Sequence, residues 1–277
     1  MNVIMSKSNE KVKYIKSLND KKFRKKYHTF YVEGIKVVNE ILNSKKAIDI
    51  MFIAYSKDLL QNINGGKEMI EKIENISFIE KIELSAEIFA YVTDTVNPQG
   101  VLIVMSIPKY DMLKELQENT QDLLILDQVQ DLGNIGTIIR SADAFGIKLI
   151  LCSVGTGDVY SPKVIRSTMG SFSRVKIIYV EDLLQIIALL KEKQYEIVGT
   201  SLQKSKEVSC FDFSKKQAFV VGNEANGVPK NILENCDQII KIEMEQTAES
   251  LNVSVATSIL LYENYIHQKN KNNEKLK

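Results

Sequence analysis

The stretch DLGNIGTIIRSADAFGI, residues 131–147, decides the fold. Ile135, Ile138, Ile139, Ala142 and Phe145 recur at helical spacing, which predicts a helix with one apolar stripe turned toward a core. Gly146 falls where such a helix closes in the left-handed conformation. Before it lies LLILD (123–127) and after it IKLILC (147–152), short apolar runs that predict strands. A helix between two such strands is the crossover of a parallel sheet. At the helix start, Asn134 is placed near the N-cap, and Gly133 and Gly136 leave backbone N–H groups without bulky cover, so a ligand can come close. The polar face carries only small residues and Arg140, one turn beyond Gly136 and Thr137, whose guanidinium can reach along that groove. A surface arginine on a capped helix accounts for the segment equally well when it is taken alone.

The alternation continues outward. VKIIYV (175–180), YEIVGTS (195–201), QAFVVG (217–222) and QIIKIEM (238–244) predict strands, and EDLLQIIALLKEKQ (181–194) predicts a helix. The expected class is therefore α/β, with a parallel sheet flanked by helices over residues 122–266. Residues 1–107 read as a smaller α/β domain: a basic opening, a helix-like TFYVEGIKVVNEILNS (29–44), and strands IDIMFIAY (48–55) and GVLIVMSI (100–107). The polar PKYDMLKELQENTQ (108–121) reads as a connector between them. SLNVSVATSILLYENYIH (250–267) is apolar on nearly all sides through Tyr262, so it should lie deep in the fold or against a partner subunit, and residues 267–277 read as a disordered tail.

Lys and Arg (36) balance Asp and Glu (35), so affinity for a polyanion must come from local clustering. Residues 11–26 supply it, with eight basic side chains against Asp20. Tyr14, Phe23, Tyr27 and Phe30 are interleaved with them and serve either base stacking or core packing. Cys152, Cys210 and Cys236 sit in apolar segments at wide spacing, which suits reduced core thiols in a cytoplasmic protein. His28 and His267 are the only histidines, too few for a histidine metal centre or a Ser/His/Asp triad, and no metal is expected. No long apolar run suggests export or a membrane span.

Two further clusters carry polar residues at element ends. FVVGNEANGVPKNI (219–232) is a strand running into a turn, with Gly222 and Gly227 around Glu224 and Pro229 preset for a helix start. AESLNVSVATS (248–258) places Ser250 and Asn252 before an apolar helix, where capping alone explains them. NIGTIIRSADAFG (134–146), VVGNEANGV (220–228) and ESLNVSVATSILLYE (249–263), in that order, resemble the three motifs of the SpoU/TrmH family of RNA 2′-O-ribose methyltransferases, within the SPOUT superfamily. YVEGIKVVNEIL (31–42) and TDTVNPQGVLIVM (93–105) are similar to the substrate-binding domain that precedes the catalytic domain in ribosomal RNA members.

The resemblance implies a C-terminal domain with a deep trefoil knot, S-adenosylmethionine as cofactor, and a homodimer through knot helices; periodicity alone favours an unknotted sheet. It implies catalytic roles for Asn134, Arg140, Glu224, Ser250 and Asn252, and cofactor contacts at Thr200, Gly222, Ile242 and Leu251. Arg140 would act as general base or, with its charge kept, anchor the substrate phosphate and stabilise the developing alkoxide. RNA contacts fall on Lys21, Lys22, Arg24, Lys25 and Lys26. DVYSPKVIRSTMGS (158–171) resembles the second helix of the family's catalytic domain, and its Lys163 and Arg166 join those contacts. The implied activity is methylation of a ribose 2′-hydroxyl in structured RNA, ribosomal RNA being favoured by the N-terminal similarity. One departure stands at KIEMEQTAES (241–250), where Glu243 and Gln246 replace the usual Ile-Pro pattern; this motivates a second reading as an RNA-binding or assembly factor without turnover. A nicotinamide oxidoreductase lacks support, since GTGDVY (155–160) has no third glycine.

Overall fold

TFYVE, read above as the opening of a helix, is a strand, because the aromatic and β-branched side chains of Phe30, Tyr31 and Val32 pack into a core. Gly34, at φ +117°, then breaks the strand and lets a helix begin at Ile35. The chain is seen in a computed structural model that describes residues 2–44, 49–93, 95–203, 205–245 and 249–274. These residues form two units, one running to Lys109 and including Tyr160–Gly170, the other made of Tyr110–Val159 and the chain from Ser171.

In the first unit, α1 (Glu10–Ser17), capped by Asn9, and α2 (Lys21–Tyr27), capped by Asp20, precede β1 (Thr29–Glu33). His28, in the left-handed conformation at φ 53°, ends α2 and turns the chain into β1. Then come α3 (Ile35–Asn43), β2 (Ile50–Tyr55), α4 (Lys57–Leu60), α5 (Gly66–Asn75), β3 (Glu80–Glu83), α6 (Ala86–Thr93) and β4 (Val101–Ser106). The sheet order is β1-β4-β2-β3, with β4 antiparallel to both neighbours. Val12 and Ile15 of α1 and its C-cap residue Leu18 close its core against Tyr31, Phe52, Phe89 and Val104.

In the second unit the strands are β5 (Leu123–Leu126), β6 (Leu149–Ser153), β7 (Lys176–Val180), β8 (Glu196–Thr200), the two-residue β9 (Lys206–Glu207), β10 (Gln217–Val221) and β11 (Gln238–Lys241). They form one parallel sheet in the order β7-β6-β5-β10-β8-β11-β9. The near-continuous apolar runs of the sequence are explained: β5, β6 and β10 are buried along their whole length. The helices are α7 (Met112–Glu118), α8 (Leu132–Ala144), α10 (Leu183–Glu192), α11 (Lys230–Leu233) and α12 (Val253–Glu274). Ile135, Ile138, Ile139 and Ala142 of α8 are fully buried, and Phe145 packs edge-on against Tyr262 of α12. Removing one such isoleucine side chain costs about 2–5 kcal/mol.

The structure corrects several expectations. The connector 108–121 contains α7, capped by Asp111 and anchored by Leu116 in the core. α12 continues to Glu274, so the expected tail is helical to that point; Gln268 Nε2 and Lys271 Nζ donate to the carbonyls of Phe213 and Ser214 at 2.8 and 3.0 Å. Residues 275–277 lie outside the described residues. Cys152 is buried, Cys236 is half-buried and packs against the core, and Cys210 is exposed, so only Cys210 departs from the expected core thiols. The intervening helix α9 (Pro162–Ser167) packs with the first unit. Tyr160 leads into it and packs on Phe30 with ring centroids 4.9 Å apart. No helix among the described residues is long and apolar enough to cross a membrane.

Candidate active site

Parallel strands present all their carboxyl ends on one edge of a sheet, where ligands of such folds collect. Thr200, Gly222 and Ile242 stand at or just beyond the carboxyl ends of β8, β10 and β11, which are adjacent in the sheet. β5, on the other side of β10, runs into the turn that starts α8. Thr200, Gly222, Ile242 and the start of α8 therefore gather on four neighbouring strand ends.

Asp131, rather than Asn134, caps α8: its carboxylate accepts from the Asn134 backbone N–H at 2.8 Å. Asn134 sits in the first turn, and its side chain is thereby released for another task. Its Nδ2 donates to Glu224 Oε1 at 3.1 Å, and its Oδ1 accepts from Asn252 Nδ2 at 3.0 Å. One asparagine thus joins all three motifs. Glu224 also accepts from the backbone N–H groups of Asp131 at 3.0 Å and Gln130 at 3.2 Å. Burial pushes the Glu224 carboxyl up, but the hydrogen bonds from Asn134 and from the backbone of Glu224, Asp131 and Gln130 outweigh it and hold the group below the usual carboxylate range. Asn252 works at both ends: while Nδ2 meets Asn134, Oδ1 caps α12 by accepting from the Ser254 N–H at 2.9 Å and the Ser254 hydroxyl at 2.6 Å. Capping and motif contact, alternatives in the sequence, are one arrangement.

The loop after β10 is closed by its own chemistry. Asn223 and Gly227 exchange backbone hydrogen bonds at 3.1 and 2.8 Å, and Asn223 Oδ1 accepts from Ala225 and Asn226. A Cβ on Gly222 would lie 2.2–2.3 Å from the backbone of Gly227 and Val228, so only glycine permits the turn. Pro229 stands at the N-cap of α11. Thr200 Oγ1 donates to the Val220 carbonyl at 3.1 Å, tying β8 to β10 beside this loop.

Arg140 is exposed on α8, and no hydrogen bond or ion pair to a described residue reaches it. Glu224 and Asn134 fix the loops and do not orient the guanidinium. The next residue, Ser141, is bonded to Ser258 of α12 at 2.7 Å, which ties the two helices together. Ser250 and Leu251 are exposed at the entrance to α12. Glu243 is exposed and accepts from the Ser209 hydroxyl at 3.1 Å; Gln246 lies outside the described residues. No cluster of metal-ligating side chains occurs among the described residues.

A support the motifs did not reveal lies under the first loop. Asp127 is buried at the end of β5, where Oδ1 accepts from the Ser153 hydroxyl at 2.6 Å and Oδ2 has no partner among the described residues. Ser153 Oγ in turn accepts from the Gln128 N–H at 3.0 Å, and the Gln128 carbonyl accepts from Asn223 Nδ2 at 2.9 Å. Gln128 itself has φ 57°. This chain of contacts fixes the Glu224 loop from below. An aspartate closing an otherwise apolar strand, LLILD, was the available signal.

In the first unit, Lys21, Lys22, Lys25 and Lys26 are exposed on α2, as are Lys163 and Arg166 on α9. Arg24 is not: it is 4% exposed, with Nη1 donating to the Leu18 carbonyl at 2.6 Å. Its place among the predicted RNA contacts is withdrawn, because a guanidinium buried to this degree cannot present its fork to a phosphate at the surface. Glu33 is raised by burial, against hydrogen bonds from Gln99 and Thr95 and the nearby charge of Arg166.

Residues 122–262 match the SpoU rRNA Methylase family and residues 9–103 the MRM3-like substrate binding domain. Over 262 residues the chain is 33% identical to a Bacillus subtilis protein named 23S rRNA (guanosine(2553)-2′-O)-methyltransferase RlmP, covering 95% of this chain and 98% of the relative. An S-adenosylmethionine-bound rRNA methyltransferase from Sinorhizobium meliloti superposes with a TM-score of 0.83 at 28% identity, over 96% of this chain and 98% of that one. AviRb of Streptomyces viridochromogenes shares the fold, with a TM-score of 0.82 at 23% identity over 95% and 99% of the two chains. The three motifs tied through Asn134 thus sit within a full-length match, and the chain belongs to the SpoU rRNA methylase family.

Proposed function

We propose that the protein transfers the methyl group of S-adenosylmethionine to a ribose 2′-hydroxyl of ribosomal RNA. The observation that carries this is the Glu224–Asn134–Asn252 chain of hydrogen bonds, which assembles three distant segments at the carboxyl edge of a parallel sheet. The residues present fit the cofactor: Thr200, Gly222, Ile242 and Leu251 offer strand-end main chain and an exposed apolar side chain, suited to a purine and its ribose. The cofactor supplies an electrophilic methyl group on a sulfonium.

The protein's part is placement and charge. The hydroxyl oxygen has to meet the methyl carbon in line, at near-attack distance, while its proton departs. Asn134, Asn252 and Glu224 hold the motif loops rigid for that encounter. Arg140 grips the substrate phosphate and stabilises the alkoxide as it forms, with the proton passing to a phosphate oxygen or water. Ser250 stands close by in sequence to contact the RNA or the cofactor. A trefoil-knotted second unit and a homodimer are part of this reading, supported by family membership. Val255, Tyr262 and Tyr265 leave an exposed apolar strip on α12 for such a partner.

The test is methyl transfer from labelled S-adenosylmethionine to 23S rRNA, followed by mapping of ribose methylation in cells with and without the gene. The guanosine specified in the Bacillus relative's name is the first position to inspect. Cofactor binding without ribose methylation of any ribosomal RNA overturns the reading.

A further inference from the structure

The first unit holds an open hollow of about 740 Å³ whose walls include Tyr14 of α1, Phe23 and Tyr27 of α2, and Met51 and Phe52 of β2. We propose that this hollow receives an unpaired nucleobase of the RNA, stacked on Tyr27, with the lysines of α1 and α2 on the flanking phosphates. The inference rests on the reading that the protein acts on RNA, and assigns it a site outside the methyl-transfer machinery.

The structure separates the aromatic residues whose two fates the sequence left open. Phe30 is 1% exposed and belongs to the core, as does Phe52, at 2%, for most of its ring. Tyr27 is 37% exposed and Met51 43%. Phe23 and Tyr27 lie one turn apart on α2 with ring planes only 20° apart and centroids at 6.0 Å, while Tyr14 tilts 54° against Tyr27 at 5.1 Å. Tyr27 is held in place by aromatic neighbours yet keeps surface open, a platform that costs little ordering to use. His28 in the left-handed conformation ends α2 just after it, so no further helical turn covers the ring. Tyr14 Oη, bonded to Thr29 Oγ1 at 2.8 Å, brings a polar group to the wall.

The charge around the hollow selects the occupant. Lys26 Nζ lies 5.3 Å from the Tyr27 centroid, Lys22 Nζ 6.0 Å from that of Phe23, and Lys11 Nζ 4.5 Å from that of Phe52. Lys13, also on the wall, is exposed. Glu10 and Glu80 also line it, but Glu80 is taken by Lys11 at 2.8 Å. A base entering over Tyr27 displaces the Lys26 ammonium from the ring toward the phosphate that the base brings with it, so ring and cation both gain. A duplex cannot use the ring, because its bases are stacked on each other and turned inward. The hollow is thus a reader of single-stranded or splayed nucleotides beside a charge patch that grips any RNA backbone.

The experiment uses the full chain, a fluorescein-labelled oligouridine and a blunt RNA duplex of equal length. Tyr27→Ala should weaken oligouridine binding about tenfold, the effect of losing one base–aromatic stack, and leave duplex binding unchanged, both measured below the variant's melting transition; Tyr27→Phe should bind and melt as the parent. Equal loss toward both RNAs, or none toward either, overturns the site. A measurement without substitution guards against a folding artefact: an oligouridine carrying one 2-aminopurine should lose fluorescence on binding the parent protein, and unchanged emission from every position overturns the proposal as well. Failure of the methyltransferase reading shows elsewhere, as no heat of S-adenosylmethionine binding to the parent chain, a measurement Tyr27 does not enter.

Discussion

Asn134 and Arg140 stand on the same helix, separated by about 9 Å of rise, and their side chains are treated in opposite ways. Asn134 is held at both ends of its amide, by Glu224 and Asn252. Arg140 is exposed and without a bond to any described residue. The difference teaches that the scaffold is completed before substrate arrives, while the cation that meets the substrate is left to be ordered by it. The sharpest way to break the comparison is at Arg140. Arg140→Ala should lower methyl transfer about a thousandfold while S-adenosylmethionine affinity and melting temperature stay at parental values by calorimetry. Arg140→Lys should recover only a small part, since a point charge does not reproduce the bidentate fork. A drop in stability in either variant would show that Arg140 is held after all.

Asn134→Ala tests the other half. It removes the bond to Glu224 and leaves the Asn252 amide without its acceptor, at a cost of about 0.5–1.5 kcal/mol for each bond. The motif loops should loosen together: kcat should fall about tenfold to a hundredfold as positioning is lost, and melting should move down by a few degrees. Thus Asn134→Ala should shift both stability and rate where Arg140→Ala shifts rate alone.

Much of this was readable before any coordinates. Apolar runs fully buried on both faces announce a parallel sheet, and the α8 stripe, Gly146 at φ 86° included, follows from spacing alone. What escaped depends on tertiary context. TFYVE runs through the single Gly34 straight into IKVVNEIL, and the change of period there is hidden until β1 finds β4. The N-cap of α8 was misplaced by three residues because Asp131 and Asn134 are both good caps, and only the demand of Glu224 and Asn252 for an amide decides between them. Arg24 among its lysine neighbours cannot be told apart by charge; its burial comes from facing α1 at the Leu18 carbonyl. The packing of α9 on β1 belongs to no local pattern.

Glu224 sharpens the comparison through pH. Its carboxyl lies below the usual range in the folded protein, so the unfolded state binds the proton more tightly. The stability it contributes is present above the ordinary carboxylate value near 4.5 and is lost as pH falls through the lowered one. Glu224→Gln keeps one acceptor and removes the charge; its stability should therefore depend less on pH across that acid window than the parent's. Parallel melting curves of the two proteins below pH 5 check this, and identical slopes would mean that the hydrogen bonds are too weak to hold the loop.

The same contrast between held and free groups recurs on α2, on a smaller scale. Arg24 is buried on the Leu18 carbonyl, and Lys25 beside it is exposed. Arg24→Ala should cost about 1–3 kcal/mol, because a buried carbonyl loses its donor, and should leave the salt dependence of RNA binding by the remaining folded protein as it was. Lys25→Ala should do the reverse: melting stays within about 0.5 kcal/mol of the parent, and the slope of log affinity against log salt falls by somewhat less than one, the share of a single phosphate contact. Two adjacent cations with the same formal charge would then be told apart by two instruments, calorimeter and salt titration. A salt slope that drops for Arg24→Ala with no loss of stability would return that residue to the RNA surface and leave α2 uniformly free.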